Sequence, residues 1–198
     1  MNETAYVEAF RARLDATREK WLGLLEALCN IECGTEMTEG VAAAAARVSA
    51  ELGDLGLPVE FVDGGDFAPH LVAKAGGGRP VVLGGHLDTT YTDYAVLPAF
   101  HVKDGLAVGP GTSDMKGGVV VHLAALDCLK EAGLLRAVPI VVLLNSDEER
   151  GAPTSREMFQ EYARTARAAL FTECGGPNGE LVIARRAKLS YRLDVRGV

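Results

Sequence analysis

The chain has 198 residues, of which 48% are apolar, and its formal net charge is -7. This length and composition suit a globular domain with a sizeable core. An acidic chain without a basic stripe argues against nucleic acid or an anionic membrane as a partner. Charges run through the first thirty residues, so we expect neither a signal peptide nor a membrane span and predict a cytoplasmic location. Four scattered cysteines are expected to be reduced structural thiols: Cys29, Cys33, Cys128 and Cys174.

The first part of the chain predicts two helices followed by strands. Apolar residues recur at helical spacing from Thr4 to Leu28. An alanine-rich helix is predicted from Thr38 to Leu55, and we expect Thr38 to cap it. Three short β-branched segments separated by glycine-rich turns then predict strands: PVEFV, HLVAKA and RPVVLGGH.

The rest of the chain alternates between the two kinds of element. A helix ended by Gly133 is predicted in MKGGVVVHLAALDCLKEAG, with His122 as a packing residue, and a buried strand in VPIVVLLN. Thr154 and Glu157 form a capping-box pattern that predicts another helix, and the strand AALFTE follows. Alternation in AKLSYRLDVRGV predicts a last, half-exposed strand. This order predicts an α/β fold with a mixed, mostly parallel sheet and helices on both faces.

Polar residues cluster just after the predicted strands. Open α/β sheets bind their ligands at the carboxyl ends of their strands, so we expect these side chains to converge. They are His86, Asp88, Asp114, Asp147, Glu148, Glu149 and Glu173.

Each of these residues also has a simpler interpretation. His86 alone could be an ordinary hydrogen-bonding residue, Asp114 a helix cap, and Glu148 and Glu149 solvated loop charges. Together, however, converging carboxylates would repel one another without a cation between them. Imidazole and carboxylate ligands suit zinc, with manganese or cobalt as alternatives. One of two adjacent glutamates can then bind the metal while the other takes a proton from water that the metal activates.

The glycine-rich segment GPGTSDMKGG, residues 109–118, invites comparison with phosphate-binding loops. A dinucleotide fingerprint needs a third glycine where Asp114 stands, and a P-loop needs Ser or Thr where Gly117 follows the lysine. The spacing therefore disfavours nucleotide binding. The glycines instead allow a sharp turn that brings Asp114 into the site, where its two oxygens can bridge two cations.

Four motifs, GGHLDTT, GPGTSDMKGG, NSDEERGAPTSRE and FTECGG, closely resemble the zinc-dependent amidohydrolase family of glutamate carboxypeptidase, acetylornithine deacetylase and succinyl-diaminopimelate desuccinylase. The resemblance implies a zinc-exopeptidase-like catalytic domain with two zinc ions. It also implies a cis peptide bond after Asp114. By this resemblance, His86 and Glu173 would bind the first metal, Glu149 would bind the second, and Asp114 would bridge the two. Two further residues would not bind metal: Asp88 would orient His86, and Glu148 would be the general base.

The resemblance also implies how the chain is divided. Residues 1–186 would form the N-terminal part of the catalytic domain, and residues 187–198 the first strand of a truncated lid domain through which full-length members of the family dimerise. In the family, the catalytic domain resumes after the lid and supplies a final histidine ligand for the second metal. A substrate-binding arginine of the family also lies beyond the position of Val198. We therefore expect weak binding of the second metal and negligible hydrolysis by this chain alone.

The function predicted from these residues is metal-dependent hydrolysis of an amide or peptide bond beside a free carboxylate, in a small N-acyl amino acid or short peptide. The alternative is a non-catalytic metal-binding or interaction module derived from the family. Glu148 favours the hydrolase, because a module without catalysis has no evident need for a general base.

Overall fold

The computed structural model describes residues 2–176, 180 and 191–197. The helices are α1 (Glu3–Cys29), α2 (Thr38–Asp54), α3 (Gly117–Glu131) and α4 (Arg156–Thr165). The strands are β1 (Val59–Val62), β2 (His70–Ala75), β3 (Val81–His86), β4 (His101–Lys103), β5 (Leu106–Val108), β6 (Ile140–Asn145) and β7 (Ala168–Phe171).

The central sheet has five strands in the order β1, β2, β6, β3, β7. Strand β3 lies parallel to both β6 and β7, whereas β1 and β2 are antiparallel to their neighbours. Strands β4 and β5 form a separate antiparallel pair. Because His86 pairs with Asn145 at the ends of β3 and β6, the segments that follow these strands emerge at the same edge of the sheet.

Helices cover the sheet on both faces, as the sequence predicts. The larger core joins α1, α2 and α3 to one face of the sheet through residues such as Leu28, Val48 and Leu126. The smaller core packs Met158 of α4 against Val141 and neighbouring residues on the other face. Every residue of β6 is buried, which explains why its sequence is apolar throughout. The mixed α/β class is therefore confirmed.

The helix starts differ from two sequence-based expectations. Thr38 is the first residue of α2, and Met37 occupies the cap position without a side-chain hydrogen bond. Thr154 does not cap α4, which begins at Arg156, because the Thr154 hydroxyl donates to the Asp147 carboxylate 2.7 Å away. The oxygen of the same hydroxyl lies 3.0 Å from His70 Nε2, which carries the ring hydrogen because Nδ1 accepts from the Ser146 N-H.

The last predicted strand is not formed in its described part, because residues 191–197 have no regular secondary structure. The other residues of that segment, 187–190 and 198, lie outside the described part, and the domain boundary after residue 186 stays a prediction. Among the described residues, no helix is long and apolar enough to cross a membrane. The four cysteines are free thiols; Cys174 is exposed and the other three are buried.

Candidate metal centre

The residues predicted for the site come from four segments at one end of the sheet. His86 is the last residue of β3, Asp114 lies in the irregular turn Thr112–Lys116, and Glu173 follows β7. Glu148 and Glu149 lie in the short 3-10 turn Glu148–Arg150 after β6. The ends of three adjacent parallel strands thus supply most of the centre, as expected for an α/β sheet.

Three of these side chains bring metal-binding atoms together. Ligand atoms of His86, Asp114 and Glu149 all lie within 4.8 Å of one another. His86 Nε2 lies 3.0 Å from Asp114 Oδ1 and 3.5 Å from an oxygen of Glu173. Ligands of a tetrahedral zinc ion lie about 3.3 Å apart, given metal-ligand bonds of about 2 Å. The spacing around His86 Nε2 therefore fits a divalent cation.

The imidazole of His86 is buried and oriented from its other nitrogen. Nδ1 lies 2.9 Å from the backbone oxygen of Asp88 and 3.4 Å from its carboxylate. The backbone N-H of His86 donates to the sulfur of Met115. When Nδ1 carries the proton, Nε2 keeps its lone pair for a metal. A histidine that binds a metal through one ring nitrogen usually donates the N-H of the other to a carbonyl or carboxylate.

The carboxylate of Asp88 also holds the turn that carries the two glutamates. It accepts hydrogen bonds from the backbone N-H groups of Glu148 (3.2 Å) and Glu149 (3.1 Å). The hydroxyl of Thr35 donates a third bond of 2.8 Å. Sequence reasoning missed Thr35, because 53 residues separate it from Asp88 and no local pattern marks it.

The turn that carries Asp114 has the backbone that its glycines suggest. The peptide bond between Asp114 and Met115 is cis, as the resemblance implies. Gly111 has a φ of 75°, and an added Cβ would lie 3.1 Å from both Lys116 Cδ and Thr89 Cγ2. The Lys116 N-H donates to the Gly111 oxygen and closes the turn. The Asp114 side chain remains 53% exposed.

Asp147 follows a buried strand like the other carboxylates but has a structural role. Its side chain accepts bonds from the backbone and hydroxyl groups of Thr154 and Ser155 and from the amide of Asn145. Burial alone would raise its pKa, but these hydrogen bonds outweigh burial and lower the pKa of Asp147 to about 2. Asp147 therefore shapes the loop between β6 and α4, because the hydrogen bonds described for its carboxylate go to that loop and to Asn145 at the end of β6.

The electrostatics of the centre also fit a cation. Burial opposes protonation of His86, but hydrogen bonds and charges from Asp88 and Glu173 outweigh it and raise the pKa of the ring to about 11. Burial and the charges of Asp114 and Glu148 raise the pKa of Glu149 to about 7. A cation at this position would relieve the crowding of negative charge that favours protonation.

A pocket of about 310 Å³ opens beside the centre. His86, Glu148 and Glu173 contribute to its polar wall, and the rings of Phe159 and Phe171 to its apolar wall. Arg156 and Gln160 of α4 also line the pocket. The sequence motifs include Arg156 but gave no indication that α4 would line this space.

The remaining histidines of the chain lie outside the centre. His122 is buried in α3, and its Nε2 lies 3.0 Å from the hydroxyl of Thr172, whose hydrogen goes to the Gly118 oxygen. His122 therefore donates from Nε2 and packs α3 against the segment that leads to Glu173. Its burial in the core agrees with the packing role predicted for it.

Comparison with known proteins places these features in a family. The model of peptidase family M20/M25/M40 matches residues 82–191. Carboxypeptidase G2 of Pseudomonas sp. (strain RS-16) is 40% identical over an alignment of 174 residues, and the match covers 84% of this chain and 41% of that protein. Succinyl-diaminopimelate desuccinylase of Xanthomonas euvesicatoria pv. vesicatoria (strain 85-10) is 30% identical over an alignment of 190 residues, and the match covers 88% of this chain and 50% of that protein. The chain thus spans about half the length of the curated relatives it matches.

Solved structures share the fold. Human carnosine dipeptidase 1 superposes with a TM-score of 0.74 at 19% identity, covering 84% of this chain and 40% of that protein. An M20 family metallo-carboxypeptidase from Sulfolobus solfataricus gives a TM-score of 0.68 at 18% identity, covering 80% and 38%. Because the family model matches more than half of the 198 residues, and the fold agrees, the chain belongs to peptidase family M20/M25/M40.

Proposed function

We propose that this chain carries the metal centre of a hydrolase that cleaves an amide or peptide bond beside a free carboxylate. The observation that carries the proposal is the convergence of His86, Asp114 and Glu149, whose ligand atoms lie within 4.8 Å of one another. Glu148 directly precedes Glu149 in the sequence. Family membership supports the same reaction class. An imidazole and several carboxylates brought together from segments far apart in sequence have no evident purpose in a purely structural site.

The metal in this proposal is zinc, with manganese or cobalt as alternatives. His86, Asp114 and Glu173 would hold the first ion, and Asp114 and Glu149 would contribute to a second. When bound, such an ion lowers the pKa of its water and polarises the carbonyl to be attacked.

Glu148 is the general base in this proposal. Burial raises the pKa of Glu148 above its usual range, and its side chain lines the pocket beside His86 and Glu173. A carboxylate in that position can take a proton from the attacking water and pass it to the leaving nitrogen. Asp88 supports this role because it holds the backbone N-H of Glu148.

The substrate class follows from the relatives and the pocket. The matched relatives are a carboxypeptidase and a desuccinylase, which supports a short peptide or an N-acyl amino acid as substrate. The apolar wall formed by Phe159 and Phe171 suits an apolar part of such a substrate. Arg156 adds a positive charge to the same pocket and can pair with a carboxylate.

The proposal is tested by separating metal binding from hydrolysis. Two proteins are compared: residues 1–198 alone, and a chimera in which they are followed by the part of carboxypeptidase G2 that comes after its matched region. Both are loaded with zinc and assayed with N-acyl amino acids and dipeptides. We expect the chimera to hydrolyse a substrate. In the chimera, Glu148→Gln should retain zinc but lower the rate of hydrolysis by about 100-fold or more. Glu149→Gln should lower the affinity for zinc.

Circular dichroism and parental carboxypeptidase G2 control for folding of the chimera. A folded chimera that binds zinc, hydrolyses no substrate and does not differ from its Glu148→Gln variant would favour the non-catalytic metal-binding module. A folded chain that binds no metal would contradict both interpretations.

A further inference from the structure

We propose that Lys116 is a positioning residue that anchors the turn carrying Asp114 to the carboxyl end of α1. The inference rests on the proposed metal site, because it assigns Lys116 a function in holding one of its ligands. Lys116 belongs to the glycine-rich motif, but it is neither one of the proposed metal ligands nor the proposed general base.

The ammonium group of Lys116 is buried, and its partners are backbone carbonyls. The residue is 1% exposed. Its Nζ donates to the Leu28 oxygen at 2.8 Å and to the Ile31 oxygen at 3.1 Å. Both acceptors lie at the end of α1, more than eighty residues away in sequence. A lysine this deeply buried requires partners for its charge, and these carbonyls provide them.

Two helix ends lie next to Lys116. Burial raises the pKa of the nearby thiols of Cys29 and Cys33, so both remain neutral at neutral pH. The ammonium instead bonds the Leu28 carbonyl in the last turn of α1, which is the negative end of that helix dipole. Lys116 also immediately precedes α3, where a positive charge is unfavourable for the helix dipole. Helix α1, not α3, accounts for the placement of this cation.

The anchor acts on Asp114 through a short stretch of backbone. The N-H of Lys116 closes the turn on the Gly111 oxygen, and Asp114 lies within that closed turn. The intervening residue, Met115, is fully buried and accepts a hydrogen bond from the His86 backbone through its sulfur. The turn is thus held on one side by β3 and on the other by α1. Releasing the α1 side frees the backbone that aims Asp114 at His86.

Lys116 also lies beside the segment after β3, which contains Asp88. Its Nζ is 5.9 Å from the ring of Tyr94, whose hydroxyl accepts from the Cys33 N-H and hydrogen-bonds Thr89. The Thr89 N-H donates to the Cys33 oxygen. One buried cation therefore borders the end of α1, the segment after β3 and the turn of Asp114.

Lys116→Met tests the proposal, because methionine keeps an unbranched apolar stem but lacks the charge and the donors. Lys116→Gln is the second variant, since it retains an amide donor. Asp127→Asn is the matched control: Asp127 receives two bonds from Arg13 and so also joins α1 to α3, but away from the metal centre. Zinc affinity by competition with a chelator and the visible spectrum of bound cobalt are measured alongside urea unfolding.

We expect Lys116→Met to lower zinc affinity by about 10- to 100-fold and to change the cobalt spectrum. Lys116→Gln should lose less affinity. Asp127→Asn should reduce stability while leaving affinity and spectrum unchanged. Folded Lys116 variants that bind zinc as the wild type does would overturn the positioning role without affecting the proposed function. A wild-type chain that binds no zinc would instead overturn the proposed function.

If neither Lys116 variant folds, Lys116→Arg supplies the comparison, because it keeps a positive charge and hydrogen-bond donors but places them differently from the lysine ammonium. A shifted cobalt spectrum or a lower zinc affinity in folded Lys116→Arg would support the positioning role. The wild-type spectrum and affinity in that variant would overturn it.

Discussion

The hydroxyl of Thr35 donates a 2.8 Å hydrogen bond to the carboxylate of Asp88. Both side chains are buried, and the loop of Thr35 runs beside the segment after β3, where Gly34 and Thr89 form an isolated parallel bridge. The loop after the first helix therefore supports a carboxylate that in turn holds the turn of Glu148 and Glu149. The candidate metal centre therefore has support from the amino-terminal helix layer as well as from the strand ends.

Thr35→Val should test this support, because valine keeps the shape of threonine but cannot donate. Loss of a buried bond to a charged acceptor should lower the free energy of unfolding by about 1.5–3 kcal/mol. Urea unfolding measures the loss. Thr165→Val is the control, since its hydroxyl donates to a carbonyl on the exposed end of α4, and it should change stability by less than about 0.5 kcal/mol. Equal effects of the two substitutions would contradict the importance of the Thr35 bond.

Gly118→Ala should destabilise the protein and weaken metal binding. An added Cβ would lie 2.1 Å from the Thr172 backbone oxygen, so the segment leading to Glu173 would have to move. We expect a loss of about 1–3 kcal/mol from overpacking and lower zinc affinity, measured by urea unfolding and chelator competition.

Gly23→Ala in α1 is the matched control for that substitution. Its Cβ would meet no heavy atom of the described chain within 4 Å. It should therefore stabilise the protein by about 0.5–1 kcal/mol, because alanine favours helix more than glycine does. If Gly118→Ala stabilised the protein equally, the close approach of α3 to Thr172 would be wrong.

Asp147→Asn should disrupt the loop between β6 and α4. The substitution removes the charge from a buried group that accepts from Thr154, Ser155 and Asn145, so we expect a loss of about 2–4 kcal/mol. The free energy of unfolding in urea measures this loss. Asp93→Asn changes an exposed aspartate that accepts one N-H from Ala95 and should cost less than about 0.5 kcal/mol. A small effect at Asp147 would show that its hydrogen bonds do not organise the loop.

His122 should make stability depend on pH between about 6.5 and 4. Burial lowers its pKa from 6.5 to about 4, so within this window the unfolded chain binds a proton that the folded chain does not. The contribution of His122 to the free energy of unfolding is fully present above pH 6.5. It falls on acidification, by about 3 kcal/mol in total once the pH is below the folded-state pKa.

His122→Gln should remove this part of the pH dependence while keeping a donor for Thr172. The free energies of unfolding of variant and wild type are compared from pH 7 to pH 4, so that the titration of other groups cancels in the difference. A difference that stays constant across the window would show that His122 titrates normally in the folded chain.

Much of the fold could be predicted because its signals are local. The alternation of apolar runs, glycine turns and helical spacing predicted the helices and the strands of the central sheet, and the polar residues after the strands indicated where the centre lies. The expected caps at Thr38 and Thr154 are wrong. Helix α2 begins at Thr38 itself. The Thr154 hydroxyl donates to Asp147 and lies 3.0 Å from His70 Nε2, contacts with other segments that a local capping pattern does not reveal.

The support of the centre could not be predicted, because it comes from contacts between segments far apart in sequence. Thr35 with Asp88, Lys116 with Leu28, and His122 with Thr172 are each separated by fifty or more residues. Residue type does not reveal such partners, since a threonine or lysine is more often exposed than buried. Asp147 shows the opposite error, because it matches the strand-end pattern but is used for hydrogen bonds in a loop.

The most direct measurement is the zinc content of the purified chain after loading and desalting, with Asp114→Ala beside it and Asp93→Ala as the exposed control. If His86, Asp114, Glu149 and Glu173 form a metal centre, the wild type and Asp93→Ala should retain about one zinc per chain and Asp114→Ala should lose it. A folded wild-type chain that retains no zinc, or an Asp114→Ala variant that retains as much as the wild type, would contradict the metal centre.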